Sequence, residues 1–153
     1  MSGPGKTVDP RTGWQRRAQE LDAQGYFSRY SPKQRAEVLR KGYLGPAAPD
    51  AAIGIAKAVV ENGYYATTAK ILDEFRAEFG VVGIEAVRET LLAILREIPP
   101  AACEPPRELN DPPGYPYIFE CQHLGGRIYF KFQIAGSERK RRALFWSCHC
   151  PKY

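Results

Sequence analysis

Apolar residues recur at helical spacing through the first two thirds of this chain and at spacing two near its C-terminus. Three early runs, residues 15–24, 33–41 and 51–62, favour helix. Each is followed by glycine, tyrosine and an apolar or aromatic residue: Gly25-Tyr26-Phe27, Gly42-Tyr43-Leu44 and Gly63-Tyr64-Tyr65. A glycine past the last turn closes a helix, and the next apolar residue folds back on it. Ser31-Pro32 supplies an N-cap and a first-turn proline for the second run, and Pro49-Asp50 does similar work for the third. A fourth helix is predicted from Thr67 or Thr68 to Phe79, striped by Ile71, Leu72, Phe75 and Phe79 and stopped by Gly80. A fifth runs over 84–98, with Ile84, Val87, Leu91, Ile94, Leu95 and Ile98 in line and Pro99-Pro100 as the stop.

The period then changes. Aromatic and β-branched residues flank Gly125-Gly126, a pair that supplies the positive φ angles of a tight hairpin. Strands on either side, with a third from Ala143 to His149, predict an antiparallel meander. Alternation puts Ile128, Phe130, Phe132 and Ile134 on a core face, joined by Leu144, Trp146 and Cys148. It puts Tyr129, Lys131 and Gln133 on the other, joined by Phe145, Ser147 and His149. A phenol, an ammonium and an imidazole make a poor core and a plausible site.

The predicted organisation is a disordered tail, 1–12, and a single α+β domain, 13–153. The domain holds a helical part (13–98), a stiff proline-rich connection without regular structure (99–116) and the meander (117–150). Helices pack on one face of a small antiparallel sheet, and the other face stays open. The length suits one domain, and no apolar run is long enough to span a bilayer. With no signal-peptide pattern, the expected location is cytoplasmic, with no membrane partner.

Charge sharpens the picture. The net charge is +5, yet from Cys121 onward there are seven Lys or Arg and one Glu. The excess lies on the meander and its loop, at Arg127, Lys131, Arg139, Lys140, Arg141 and Arg142. Clustered cations beside exposed aromatics suit a polyanion, so RNA contact is expected through these residues and Gln133. Cys121, His123, Cys148, His149 and Cys150 hold enough ligands for zinc, but neighbouring strand residues face opposite ways and the spacing is no finger or ribbon, so no metal or other cofactor is expected. Gly3-Pro-Gly-Lys-Thr7 lacks the strand and spacing of a phosphate loop.

A short helix ending in Asn-Gly-Tyr-Tyr-Ala-Thr-Thr68, two amphipathic helices, an irregular stretch, Gly126-Arg-Ile-Tyr129-Phe-Lys131 and a final Ser147-Cys-His149 follow in order. This order, over about residues 52–150, resembles the MqsR-type toxins of bacterial toxin–antitoxin pairs, within the wider RelE-like group of small endoribonucleases. The resemblance implies a RelE-like fold, metal-free cleavage of messenger RNA and a cognate antitoxin partner. It carries the family's site tyrosine to Tyr129 and its C-terminal lysine or histidine to His149. A family lysine and glutamine that precede the hairpin have no assigned position here, with Arg107 or Gln122 as substitutes. Such cleavage needs a base for the 2′-hydroxyl, a donor to the leaving oxygen and cations on the phosphorane. His149 suits the proton, Lys131 or Arg127 the phosphate, and Tyr129 a base or a phosphate oxygen. The catalytic set is therefore Tyr129, Lys131 and His149. Two other classes fit the same basic face: a non-catalytic nucleic-acid-binding module, and a protein-interaction module that inhibits an acidic partner.

Overall fold

A computed structural model describes residues 10–43, 45, 47–104, 109–110, 113–114, 116–123, 126–136 and 139–150. Helices α1 (Pro10–Ala23), α2 (Pro32–Lys41) and α3 (Pro49–Glu61) come first. Strand β1 (Tyr65–Thr67) and helices α4 (Ala69–Phe79) and α5 (Ile84–Glu97) follow. A single 3-10 turn, Pro100–Ala102, leads into β2 (Leu109–Asn110) and β3 (Pro113–Gly114). The chain then forms β4 (Tyr117–His123), β5 (Gly126–Ala135) and β6 (Arg142–His149). Among the described residues it is an α+β fold of five helices and a mixed four-stranded sheet ordered β1-β6-β5-β4.

Local chemistry sets the helix ends where the sequence indicated. Ser31 caps α2 with a full capping box, its Oγ accepting from the Gln34 N–H while the Gln34 side chain accepts from the Ser31 N–H. Gly42, at φ 101°, ends α2 against α1: a Cβ there would fall 2.5 Å from Cβ of Trp14, and the Tyr43 N–H donates to the Trp14 carbonyl. Only glycine tolerates both the angle and the approach.

The core lies between α3, α5 and one face of the sheet. Tyr117, Phe119, Phe130, Phe132 and Phe145 are buried there, with ring centroids 5.5 to 5.9 Å apart along the contacts of Phe132. The Tyr117 hydroxyl donates to the Ala47 carbonyl and accepts from the Ala47 N–H, both at 2.8 Å, which pins the link into α3 to the sheet.

Several expectations are corrected. Helix α1 begins at Pro10, inside the stretch expected to be disordered; residues 1–9 lie outside the described residues. The proline-rich connection is not without regular structure. It holds the 3-10 turn, the β2–β3 pair and a bridge from Cys103 to Phe119. The sheet is not a three-stranded antiparallel meander, because β1 adds in parallel to the outer edge of β6, Ala66 beside Leu144. Strand β1 is three residues long, and its partner lies far along the chain, so no local pattern announces it. The Gly125 half of the predicted hairpin turn lies outside the described residues; His123 pairs with Gly126 across it.

The face assignment of β6 is half corrected. Phe130 pairs with Cys148 and Lys131 with Ser147, but Phe132 pairs with Phe145. Trp146 is therefore an extra residue in a β-bulge, and the parity of β6 flips across it. Cys148 keeps its predicted core face, and Ser147 and His149 keep theirs opposite. Phe145 instead turns into the core, while Leu144 and Trp146 lie on the face of Lys131.

The fold makes three predictions. Phe132→Ala removes the ring at the centre of the aromatic core and lowers stability by roughly 3–5 kcal/mol, read from urea unfolding; a loss under 1 kcal/mol would contradict the packing. Burial pushes the Cys103 thiol up to about 12 and Cys121 up to about 11, and raises Cys148 further. At pH 8 a maleimide therefore labels one thiol of the folded protein, the exposed Cys150, and all four after unfolding. Because the unfolded chain loses these protons first, stability falls as pH climbs from about 9 towards 12. A melting temperature flat over that range would count against the assignment.

Candidate functional site

Helix α4 and strand β6 build the candidate site together. Beyond the three residues paired with β1, the outer edge of β6 has no strand beside it among the described residues, and α4 runs along it instead. Thr68 is the N-cap of α4: its Oγ1 accepts from the Ile71 N–H and donates to the Trp146 carbonyl at 2.6 Å, and its N–H donates to the Phe145 carbonyl. Nearly two turns on, Glu74 accepts from the Cys148 N–H at 3.1 Å, and a turn later Glu78 accepts from the Cys150 N–H at 3.0 Å. Four helical residues rise about 6.0 Å and two strand residues about 6.6 Å, so carboxylates at i and i+4 meet alternate amides of a strand.

Glu74 does more than cap an amide. Ser147 Oγ donates to it, at 2.9 and 3.1 Å from its two oxygens, and Nδ1 of His149 stands 3.0 Å from Oε2. Nδ1 is also 2.9 Å from Ser147 Oγ. An ionised carboxylate only accepts, so it favours the ring tautomer with the proton on Nδ1 and the lone pair on Nε2. Tyr129, directly across the ladder, lays its ring over the imidazole with centroids 5.8 Å apart and planes 26° from parallel. The His149 side chain is 35% exposed and Glu74 15%, so the imidazole reaches solvent more freely than its anchor.

Of the predicted residues, Tyr129, Lys131 and His149 are brought onto one face, with Lys131 opposite Ser147. Gln133 lies further along that face, its Oε1 accepting from the Trp146 indole, and the Lys131 ammonium sits 5.7 Å from the Trp146 ring. Arg127 is an exposed neighbour of Tyr129 on the same side and pairs with Glu120 across the hairpin. Gln122, opposite Arg127, is exposed there too; Arg107 lies outside the described residues.

Arg139, Lys140, Arg141 and Arg142 are not brought to this cluster. They form the turn at the far end of the β5–β6 hairpin, where Ala135 pairs with Arg142, about 20 Å along the strand from Tyr129. The face is also less open than expected. Ile118 and Trp146 are buried on it, and Tyr129, Lys131 and Gln133 are half-buried. His123 lies on the core side, buried, with Nδ1 2.9 Å from Glu97 and its ring edge-on to Phe79.

Glu74 is the site residue that sequence reasoning missed. Its signal was faint: Glu74 and Glu78 sit four apart on the polar side of α4, a spacing that marks a helix face but not what the face meets. The group is not a serine nucleophile triad. Ser147 is 3% exposed, and it shares Nδ1 with the carboxylate, whereas a triad places hydroxyl and carboxylate on opposite ring nitrogens. Among the described residues no group of three or more His, Cys, Asp or Glu is placed to hold a metal ion, and no helix is long and apolar enough to cross a membrane. No family model, no curated protein and no solved structure matches this chain significantly.

The geometry sets the proton on His149. In ring nitrogen-15 NMR the neutral imidazole should show its proton on Nδ1, and Glu74→Gln, whose amide can donate to that nitrogen, should move the proton to Nε2. A wild-type ring already carrying it on Nε2 would contradict the arrangement.

Proposed function

We propose that this protein is a metal-independent endoribonuclease that cleaves messenger RNA, a toxin of the MqsR-type, RelE-like group acting in the cytoplasm and neutralised by a cognate antitoxin protein. The observation that carries the reading is the stacked pair of Tyr129 and His149, on the same face as Lys131. Packing of helices on one face of a small sheet is in keeping with a RelE-like fold.

In this reading Nε2 of His149 takes the proton of the ribose 2′-hydroxyl, and the oxygen attacks the adjacent phosphorus. The bond from phosphorus to the 5′-oxygen breaks, leaving a 2′,3′-cyclic phosphate and a 5′-hydroxyl. The imidazolium then gives its proton to that leaving oxygen, directly or through the Tyr129 hydroxyl, which takes up that proton as it passes on its own, so both groups end as they began. Lys131 stabilises the charge that grows on the phosphorane, and Arg127 holds a neighbouring phosphate. Tyr129 also offers a ring on which a base can stack. Arg139, Lys140, Arg141 and Arg142, at the other end of the hairpin, bind the strand at a distance and add affinity rather than rate.

The test is cleavage of RNA by the purified protein in EDTA. The wild type should yield 5′-hydroxyl ends, and His149→Ala should lose about 100-fold or more of the rate. Intact RNA with the wild type, or equal cleavage by the variant, would remove the enzyme. Salt-sensitive RNA binding without cleavage would leave a binding module instead.

A further inference from the structure

Most backbone edges of the sheet are closed. The outer edge of β4 meets Cys103 and Glu104, the latter donating its N–H to the Ile118 carbonyl. The outer edge of β6 is closed by β1, Thr68, Glu74 and Glu78. Strand β1 forms the other margin. In a parallel strand successive residues direct both backbone groups to alternate sides. The Thr68 N–H points to β6, so the N–H and C=O groups of Tyr65 and Thr67 point away from it.

What they face is a groove of about 640 Å³ between β1, α4, the α4–α5 loop and the start of α5. Strand β1 is short, but Tyr65-Ala-Thr67 carries no charge, proline or bulge to turn a further strand away. The groove also collects the large apolar side chains that the described surface leaves uncovered. Leu72 is 41% exposed, Val82 69% and Ile84 81%, and all three line it, with Tyr64 beside it at 64%. Such a concentration marks an interaction surface.

We infer that this groove binds an extended segment of a partner protein, which adds to β1 as a further strand. The open groups of Tyr65 and Thr67 would bond its backbone. Its alternate side chains would rest on Leu72, Val82 and Ile84. Charge agrees: the lining holds Arg76 and Arg88 against one carboxylate, Asp73, which Arg76 holds at 3.4 Å, and Arg88, which donates to the Val60 and Glu61 carbonyls, meets neutral acceptors there and keeps its charge unbalanced within the lining. Glu85 acts on the Tyr65 hydroxyl from outside that lining. The segment therefore carries a carboxylate among its apolar residues, beside Arg88. A second copy of this chain fits less well, because a two-fold axis at the edge would set one hollow against another. The inference does not rest on the nuclease reading, and its test uses no RNA.

The probe is a phage-displayed library of random dodecapeptides panned on the full chain, with the selected peptides then measured by fluorescence anisotropy. Peptides with apolar residues at alternate positions and at least one Asp or Glu should emerge. Their Kd should rise tenfold or more with Val82→Glu and with Ile84→Glu. Both positions are exposed, and unchanged melting curves will show that the variants fold. Hydrogen exchange at the Tyr65 and Thr67 amides should slow in the complex. No enriched family, apolar residues at helical spacing, or binding indifferent to both variants would overturn the inference. So would a wild-type dimer in sedimentation that Ile84→Glu dissociates, which would place a second copy in the groove.

Discussion

Strand β6 has to find hydrogen-bond partners on two sides, and the structure depends on how it does so. On one side β5 supplies a ladder; on the other β1 covers only Ala143 to Phe145. The rest of that edge is met by side chains of α4, whose rise over four residues nearly matches two residues of strand. An unpaired buried amide costs about 1–3 kcal/mol, so these carboxylate contacts fix where α4 lies. Once α4 is fixed, Glu74 also stands beside His149 and Ser147. The capping of an edge and the orientation of the imidazole are thus one arrangement.

The bulge at Trp146 is the second constraint. Without it, the parity that places Ser147 and His149 beside Lys131 would send Phe145 out of the core and Trp146 into it. With it, β6 keeps a polar end and still delivers Phe145 to the aromatic cluster around Phe132. The indole is left on the polar face, where it donates to Gln133 and lies beside the Lys131 ammonium. A cation next to an aromatic ring is attracted by the ring's quadrupole, which helps to hold Lys131 over the face.

Charge and chemistry separate along the hairpin. The basic turn that dominates the sequence charge lies at one end, and the imidazole lies near the other. Lys131 and Arg127 flank Tyr129 on the face of the imidazole, Lys131 directly opposite Ser147 and Arg127 engaged by Glu120. Under the proposed function, the distal turn adds affinity for the RNA backbone, while proton transfer and the charge stabilisation that goes with it stay together at the other end.

Local chemistry made the helices legible. Glycine takes positive φ, Ser31 and Thr68 cap, proline opens or stops a turn, and apolar stripes mark buried faces; each acts within a few residues of itself. The same holds for β5, whose strict alternation placed Tyr129 and Lys131 correctly, and for His149, which lies beyond the bulge and keeps its parity with them. What the chain could not announce depended on distant partners. The parallel addition of β1, the capture of β6 by α4 and the role of Glu74 each join segments some 70 or more residues apart, and the bulge that turned Phe145 inward is set by the pairing of β6 with β5 and not by the alternation of β6 itself. Sequence determined the main helices, the three long strands and the shared faces of β5, because those follow from backbone geometry over short spans. Tertiary structure alone decided which edge meets which helix, since an amide left open by one segment is satisfied by whatever the packed core brings beside it.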